Sequence, residues 1–141
     1  MLGDVFWKME SSEAARIMDM LNGKKYLIKG NHDQIVARRG VAEKFAAIYD
    51  RKSISVCTKD GVSHHVVMGH VPSFCYEGAH RGAIMLHGHV HNSEEHDLIQ
   101  ALTEQARLAG SPHNLFNVGC MHFGYGPATL DEIIEHYGGL K

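Results

Sequence analysis

The chain has 141 residues, 44% of them hydrophobic and 21% charged, with a formal net charge of −2 when histidine is neutral. This predicts one globular domain, residues 1–141, long enough to bury a core. The lack of basic excess disfavours nucleic acid as an obligatory partner, and no apolar run approaches the ~20 residues of a membrane helix.

The first residues, Met1 to Arg16, show no basic segment followed by a long apolar one, so no signal peptide is expected. Cys57, Cys75 and Cys120 are odd in number and widely spaced, with no CxxC, which predicts free thiols and a cytoplasmic setting. Ser11 and Ser12 offer an N-cap, and Ala14, Ile17, Met18 and Leu21 then recur at helical spacing until Asn22-Gly23. Tyr26-Leu27-Ile28 reads as a short buried strand running into a loop at Gly30-Asn31-His32-Asp33. Residues 34–49 read as helical, with a break near Gly40. Residues 53–58 alternate as a strand, Asp60-Gly61 is a hairpin turn, and 62–68 is the return strand. A loop at 71–82 leads to a strand at 83–86. Residues 94–109 put Leu98, Ile99, Leu102, Ala106 and Ala109 on one face of a helix that Gly110 stops. A strand at 115–118 follows. Thr129-Leu130-Asp131-Glu132 is a capping box opening a C-terminal helix. The order of elements defines an α/β or mixed α+β class.

Four stretches share a pattern: Gly3-Asp4, Gly30-Asn31-His32-Asp33, Gly69-His70 and Gly88-His89-Val90-His91. Each follows an apolar run, and a glycine stands directly before its first polar residue, where it permits a sharp turn and close approach. Strands of one sheet end on one rim, so four such loops can converge there. Imidazole, carboxylate and amide oxygen together suit a borderline divalent ion: Mn²⁺ in first place, with Fe²⁺, Zn²⁺ and Ni²⁺ as alternatives. Two ions bridged by a carboxylate, ~3.5–4 Å apart, clamp a phosphate and activate water for in-line attack.

These blocks, in this order, resemble the calcineurin-like metallophosphoesterase family, closest to its small bacterial and phage members. That pattern runs D-x-H, G-D, G-N-H-D/E, G/S-H, G-H-x-H. Leu2-Gly3-Asp4 matches the second block, Gly30 to Asp33 the third, Gly69-His70 the fourth and Gly88 to His91 the last. Asn117-Val118-Gly119, Pro127 and Leu130-Asp131-Glu132 resemble the tail of the phage-type members. The resemblance implies an αββα sandwich with metals at the strand ends, and hydrolysis of a phosphodiester or small phosphomonoester by a metal-bound hydroxide. It implies that Asp4 bridges two ions, that Asn31, His70 and His89 complete one shell, and that His91 serves the other ion. His32 would face the phosphate and protonate the leaving oxygen, with Asp33 orienting it.

The D-x-H block has no counterpart before Asp4, which a misplaced gene start, a genuine short form or a remnant without catalysis would each explain. The expectation is therefore an N-terminally shortened sandwich with one tight metal site and one weakened to Asp4 and His91. Open sheet edges would then favour a homo-oligomer. A metal-binding interaction subunit without catalysis is the competing reading. Among the remaining candidates, His64, His65, His80, His96, His113, His122 and His136 read as structural or surface residues, with His122 of interest because it follows a strand end. His87, Phe6 and Trp7 read as packing residues.

Overall fold

The computed structural model describes residues 1–140; Lys141, the last residue of the expected domain, lies outside them. It is an α/β fold in which two β-sheets are flanked by helices. Helix α1, Ser11–Met20, buries Ala14 and Met18, one turn apart, on a single stripe. Its end is satisfied by Lys25, whose Nζ donates to the carbonyls of Met18 (3.1 Å) and Leu21 (2.9 Å). Strand β1, Tyr26–Ile28, follows and is paired in parallel with β2, Ala47–Tyr49, with Leu27 opposite Ile48.

That pairing corrects the helix expected at 34–49. The segment is a 3₁₀ turn at Asp33–Ala37, a single helical turn, α2, at Arg39–Ala42, and the strand β2. Val36, Val41 and Phe45 bury themselves against Phe6, Ala14, Met18 and Leu27 without helical continuity. Ala47-Ile48-Tyr49, a short apolar run with no period of its own, then takes the open edge of β1. Pairing extends beyond the strands through Ala46 N–H to Lys25 O and Lys29 N–H to Tyr49 O, both 2.8 Å. On the other edge of β1, Leu2 forms a single parallel bridge to Ile28.

The second sheet has the order β3-β4-β5-β6: Arg51–Cys57, Ser63–Gly69, Ile84–His87 and Asn114–Asn117. β3 and β4 form the expected hairpin around Asp60-Gly61; β4, β5 and β6 are mutually parallel. One face packs Val66, Ile84, Leu86 and Phe116 against helix α4, Leu130–His136. The expected capping box is present: Glu132 N–H donates to Thr129 Oγ1 (3.3 Å), and Thr129 N–H donates to Glu132 Oε2 (2.7 Å). The other face packs Val67, Met85 and Leu115 against Tyr76, Ala79 and Ile99.

Helix α3, Glu94–Leu108, is rotated from its expected orientation. Ile99 and buried Thr103 face the sheet, while Leu98 and Leu102 are 58% and 44% exposed. Between the two sheets an apolar cleft of about 350 Å³ is lined by Met1, Tyr26, Ile28, Tyr49, Ile54 and Met68. Among the described residues no helix is long and apolar enough to cross a membrane.

Candidate metal centre

Parallel pairing sends the C-terminal ends of β4 and β5 to one rim, so Gly69-His70 and His87-Gly88-His89 emerge side by side. The ends of Leu2 and β1 reach the same place, bringing Asp4 and Asn31. His70 Nε2 stands 3.1 Å from Asp4 Oδ2 and 3.0 Å from Asn31 Oδ1. His89 Nδ1 stands 3.0 Å from Asn31 Oδ1 and 3.3 Å from His70 Nε2.

A count of protons shows what this arrangement needs. An ionised Asp4 carboxylate and the Asn31 carbonyl oxygen only accept, and each neutral imidazole nitrogen carries one proton at most. His70 Nδ1 faces the carbonyl of Leu2 at 3.4 Å. A proton donated there leaves Nε2 bare, in the tautomer that ligates metal. In that tautomer the lone pairs of His70 Nε2, Asp4 and Asn31 face one point beside His89, an arrangement that a cation can occupy. Among the described residues, Asp4, His70 and His89 are the one Asp/Glu/His/Cys group close enough to hold an ion. The cluster is consistent with one divalent-ion site, with nitrogen and oxygen donors of borderline type.

The backbone is shaped around the cluster. A Cβ on Gly3 would overlap the His70 ring, and one on Gly30 would overlap Asp4. Asp4 (φ 52°), His89 (φ 65°) and His91 (φ 47°) occupy the left-handed region, which disfavours L side chains. Only Lys8 and Tyr125 join them among the described non-glycine residues. Strain concentrated on the predicted ligand residues fits a site held in a set geometry by its surroundings.

The other predicted residues are placed differently. Asp33 is fully buried and spends its carboxylate on backbone. Oδ1 accepts from Val5 N–H (2.8 Å) and Phe6 N–H (3.1 Å), and Oδ2 accepts from Gly30 N–H (2.8 Å). No hydrogen bond joins it to the His32 ring, so the orienting role expected for Asp33 is corrected. It ties the Asp4 loop to the Gly30 loop. The His32 backbone N–H donates to Asp4 Oδ1 at 2.8 Å, and its ring lies against Trp7. His91 is outside the cluster; its carbonyl accepts from Asn117 Nδ2 (2.7 Å) and His122 Nε2 (3.2 Å). Trp7 is also corrected: it is 56% exposed, whereas Phe6 is 2% exposed. The chain bends at Trp7 and Lys8, which leaves the indole outside while Phe6 is sunk in the core.

His87 is buried under the sheet rim. Its Nδ1 donates to Gly88 O at 3.1 Å, and Nε2 has no partner. Burial pushes its pKa down from 6.5 to about 4, opposed by the Gly88 hydrogen bond and helped by nearby His96, His122 and His70. Above pH 6.5 both folded and unfolded chains keep this ring neutral. As pH falls toward about 4, the unfolded chain takes up a proton that the folded one refuses, so stability is lost. The loss from this group is on the order of 3 kcal/mol across the window. Urea unfolding of the metal-free chain at pH 7 and pH 4.5 measures it, and His87→Leu is expected to flatten the difference.

No family model, curated protein or solved structure matches the chain.

Proposed function

We propose that the chain is a metal-dependent phosphoesterase of the calcineurin-like metallophosphoesterase type, with the αββα arrangement of that family. The observation that supports it best is the convergence of Asp4, Asn31, His70 and His89, drawn from four separate sequence blocks. The blocks stand in the family's order along the chain, and a helix-and-loop protein of other purpose has no reason to bring them to one point.

In this reading Asp4, Asn31, His70 and His89 hold one divalent ion, Mn²⁺ in first place, and Asp4 with His91 offer a weaker hold on a second. Bound metal supplies Lewis-acid activation of water and of the phosphoryl oxygens. The chain's own residues do the rest. Asp4 also accepts from the His32 backbone N–H, which ties the metal loop to the neighbouring imidazole. His32 is placed beside the metal loop, where it stabilises charge on the phosphate and gives its proton to the departing oxygen. Substrates are a phosphodiester or a small phosphomonoester.

The test is Mn²⁺-dependent hydrolysis of diphenyl phosphate, whose leaving oxygen needs a proton, by the chain beside its His32→Ala variant. We expect metal-dependent turnover that falls by about 10²–10⁴-fold in the variant while metal affinity stays unchanged. Equal turnover in the variant would refute the role of His32. A folded chain that takes up metal but shows no turnover favours the second reading, a metal-binding interaction subunit; that reading is supported by the single group Asp4, His70 and His89 among the described residues.

Self-association belongs to the same proposal. Leu2 covers β1 by one bridge only, β3 is an edge strand, and the apolar cleft between the sheets is open. Light scattering at tens of micromolar is expected to show a dimer or larger; a monomer there would overturn this part.

A further inference from the structure

His32 carries the leaving-group chemistry in the reading above, and the inference here rests on that reading. A proton donor must point at the oxygen it serves, so something has to hold its ring. The neighbouring carboxylate does not: both oxygens of Asp33 are occupied by the N–H groups of Val5, Phe6 and Gly30. The His32 ring makes no hydrogen bond among the described residues. What it does touch is Trp7, with ring centroids 4.0 Å apart and planes inclined at 57°.

Trp7 is built to stay where it is. The residue before it, Phe6, is sunk in the core and meets Phe45 edge to face at 6.2 Å between centroids. The backbone of Val5 and Phe6 is bound to buried Asp33. The residue after it, Lys8, turns the chain through φ 47° and lays its Nζ 5.8 Å from the indole centroid. A large apolar ring left 56% exposed gains little from burial. Its one close ring contact is His32.

We propose that Trp7 is the positioning residue for His32: its indole face sets the direction in which the imidazole leaves the Asn31-His32 turn. In the hydrolysis, the water oxygen bonds to phosphorus and the bond from phosphorus to the leaving oxygen breaks. The leaving oxygen takes the His32 ring proton, and solvent takes the proton lost by water and restores the ring. Trp7 touches none of the reacting atoms and acts through the ring it holds.

The experiment compares two diesters of equal charge, bis(4-nitrophenyl) phosphate and diphenyl phosphate. The first leaving group departs readily as an anion, and the second depends on receiving a proton. With Mn²⁺, Trp7→Ala is expected to lower kcat on diphenyl phosphate about tenfold and to move KM by less than about twofold. On bis(4-nitrophenyl) phosphate the same variant should stay within about threefold of the unaltered chain, and Trp7→Phe should recover most of the loss. An equal loss on both diesters, or a loss confined to KM, overturns the proposal. If the unaltered chain hydrolyses neither diester, the phosphoesterase reading fails and the leaving-group role of His32 with it; the ring contact then tests only whether Trp7 holds the imidazole. Trp7 is the single tryptophan, so its indole signals are unambiguous in nuclear Overhauser spectra of the Zn²⁺-loaded chain. Cross-peaks to the His32 ring protons sustain the positioning role, and their absence overturns it.

Discussion

Replacing His89 by glycine will strip the chain of tightly held metal without weakening its fold. The imidazole of His89 is one of the four groups that face the common point, through Nδ1 at 3.0 Å from Asn31 Oδ1 and 3.3 Å from His70 Nε2. Without it Asp4, Asn31 and His70 remain, and water must replace a nitrogen donor. Loss of a residue that merely supports a ligand typically costs 10–100-fold in affinity, so loss of the ligand itself should exceed about 100-fold. The fold responds in the opposite sense. His89 is exposed and held at φ 65°, a conformation costing an L residue about 1–2 kcal/mol. Glycine removes that strain and adds roughly 0.5–1 kcal/mol of unfolded-chain entropy, so the metal-free variant should be at least as stable. Calorimetric titration with Mn²⁺ and urea unfolding of the metal-free chain check both halves. Metal affinity near that of the unaltered protein would remove His89 from the ligand set.

Asp33→Ala should be among the most destabilising single substitutions in the molecule. Three backbone N–H groups donate to its carboxylate, and the residue has no exposed surface. A hydrogen bond to a charged group contributes about 1.5–3 kcal/mol, and leaving buried donors unpaired adds to the loss. Allowing for relaxation, the expected cost is about 3–5 kcal/mol, a large part of an ordinary domain's total stability. Asp33→Asn keeps one acceptor oxygen and should lose about half as much. The damage reaches the metal cluster, because the same carboxylate fixes the loop after Asp4 and the Gly30 turn before Asn31. Urea midpoints with an unchanged slope measure the stability; a shift worth less than about 1 kcal/mol would show that the three bonds are replaceable.

These two residues show how unevenly the site was legible. Asp4, Asn31, His70 and His89 were readable because each block pairs a glycine with a metal-competent side chain at the end of an apolar run. That local pattern survives in a one-dimensional string. The importance of Asp33 is legible in the sequence; its partner is not. Nothing in Asn31-His32-Asp33 tells whether the carboxylate turns toward the adjacent imidazole or toward residues 5 and 6, some 28 positions earlier in the chain. Trp7 is hidden for a related reason: an aromatic residue beside Phe6 looks like core, and only the tertiary structure leaves its ring outside.

The same division runs through the fold. Residues by themselves determined the hairpin at Asp60-Gly61, the capping box at Thr129, the short strand at Tyr26–Ile28 and the glycine-polar pattern of the four blocks. For the first three the cause lies within a few residues: a turn geometry, a reciprocal pair of hydrogen bonds, an apolar run; the block glycines answer to distant neighbours, the His70 ring at Gly3 and Asp4 at Gly30. Tertiary structure alone decided that residues 34–49 break into a turn, one helical turn and the strand Ala47–Tyr49, because the open edge of Tyr26–Ile28 offers backbone hydrogen bonds that no local preference encodes. It also decided which stripe of the Glu94–Leu108 helix is buried, since an apolar period does not say which of two overlapping faces meets the sheet. And it decided the centre itself. Which of twelve histidines stand close enough to share a cation is a question of distances across the chain, and pairing of parallel strands is what makes those distances small.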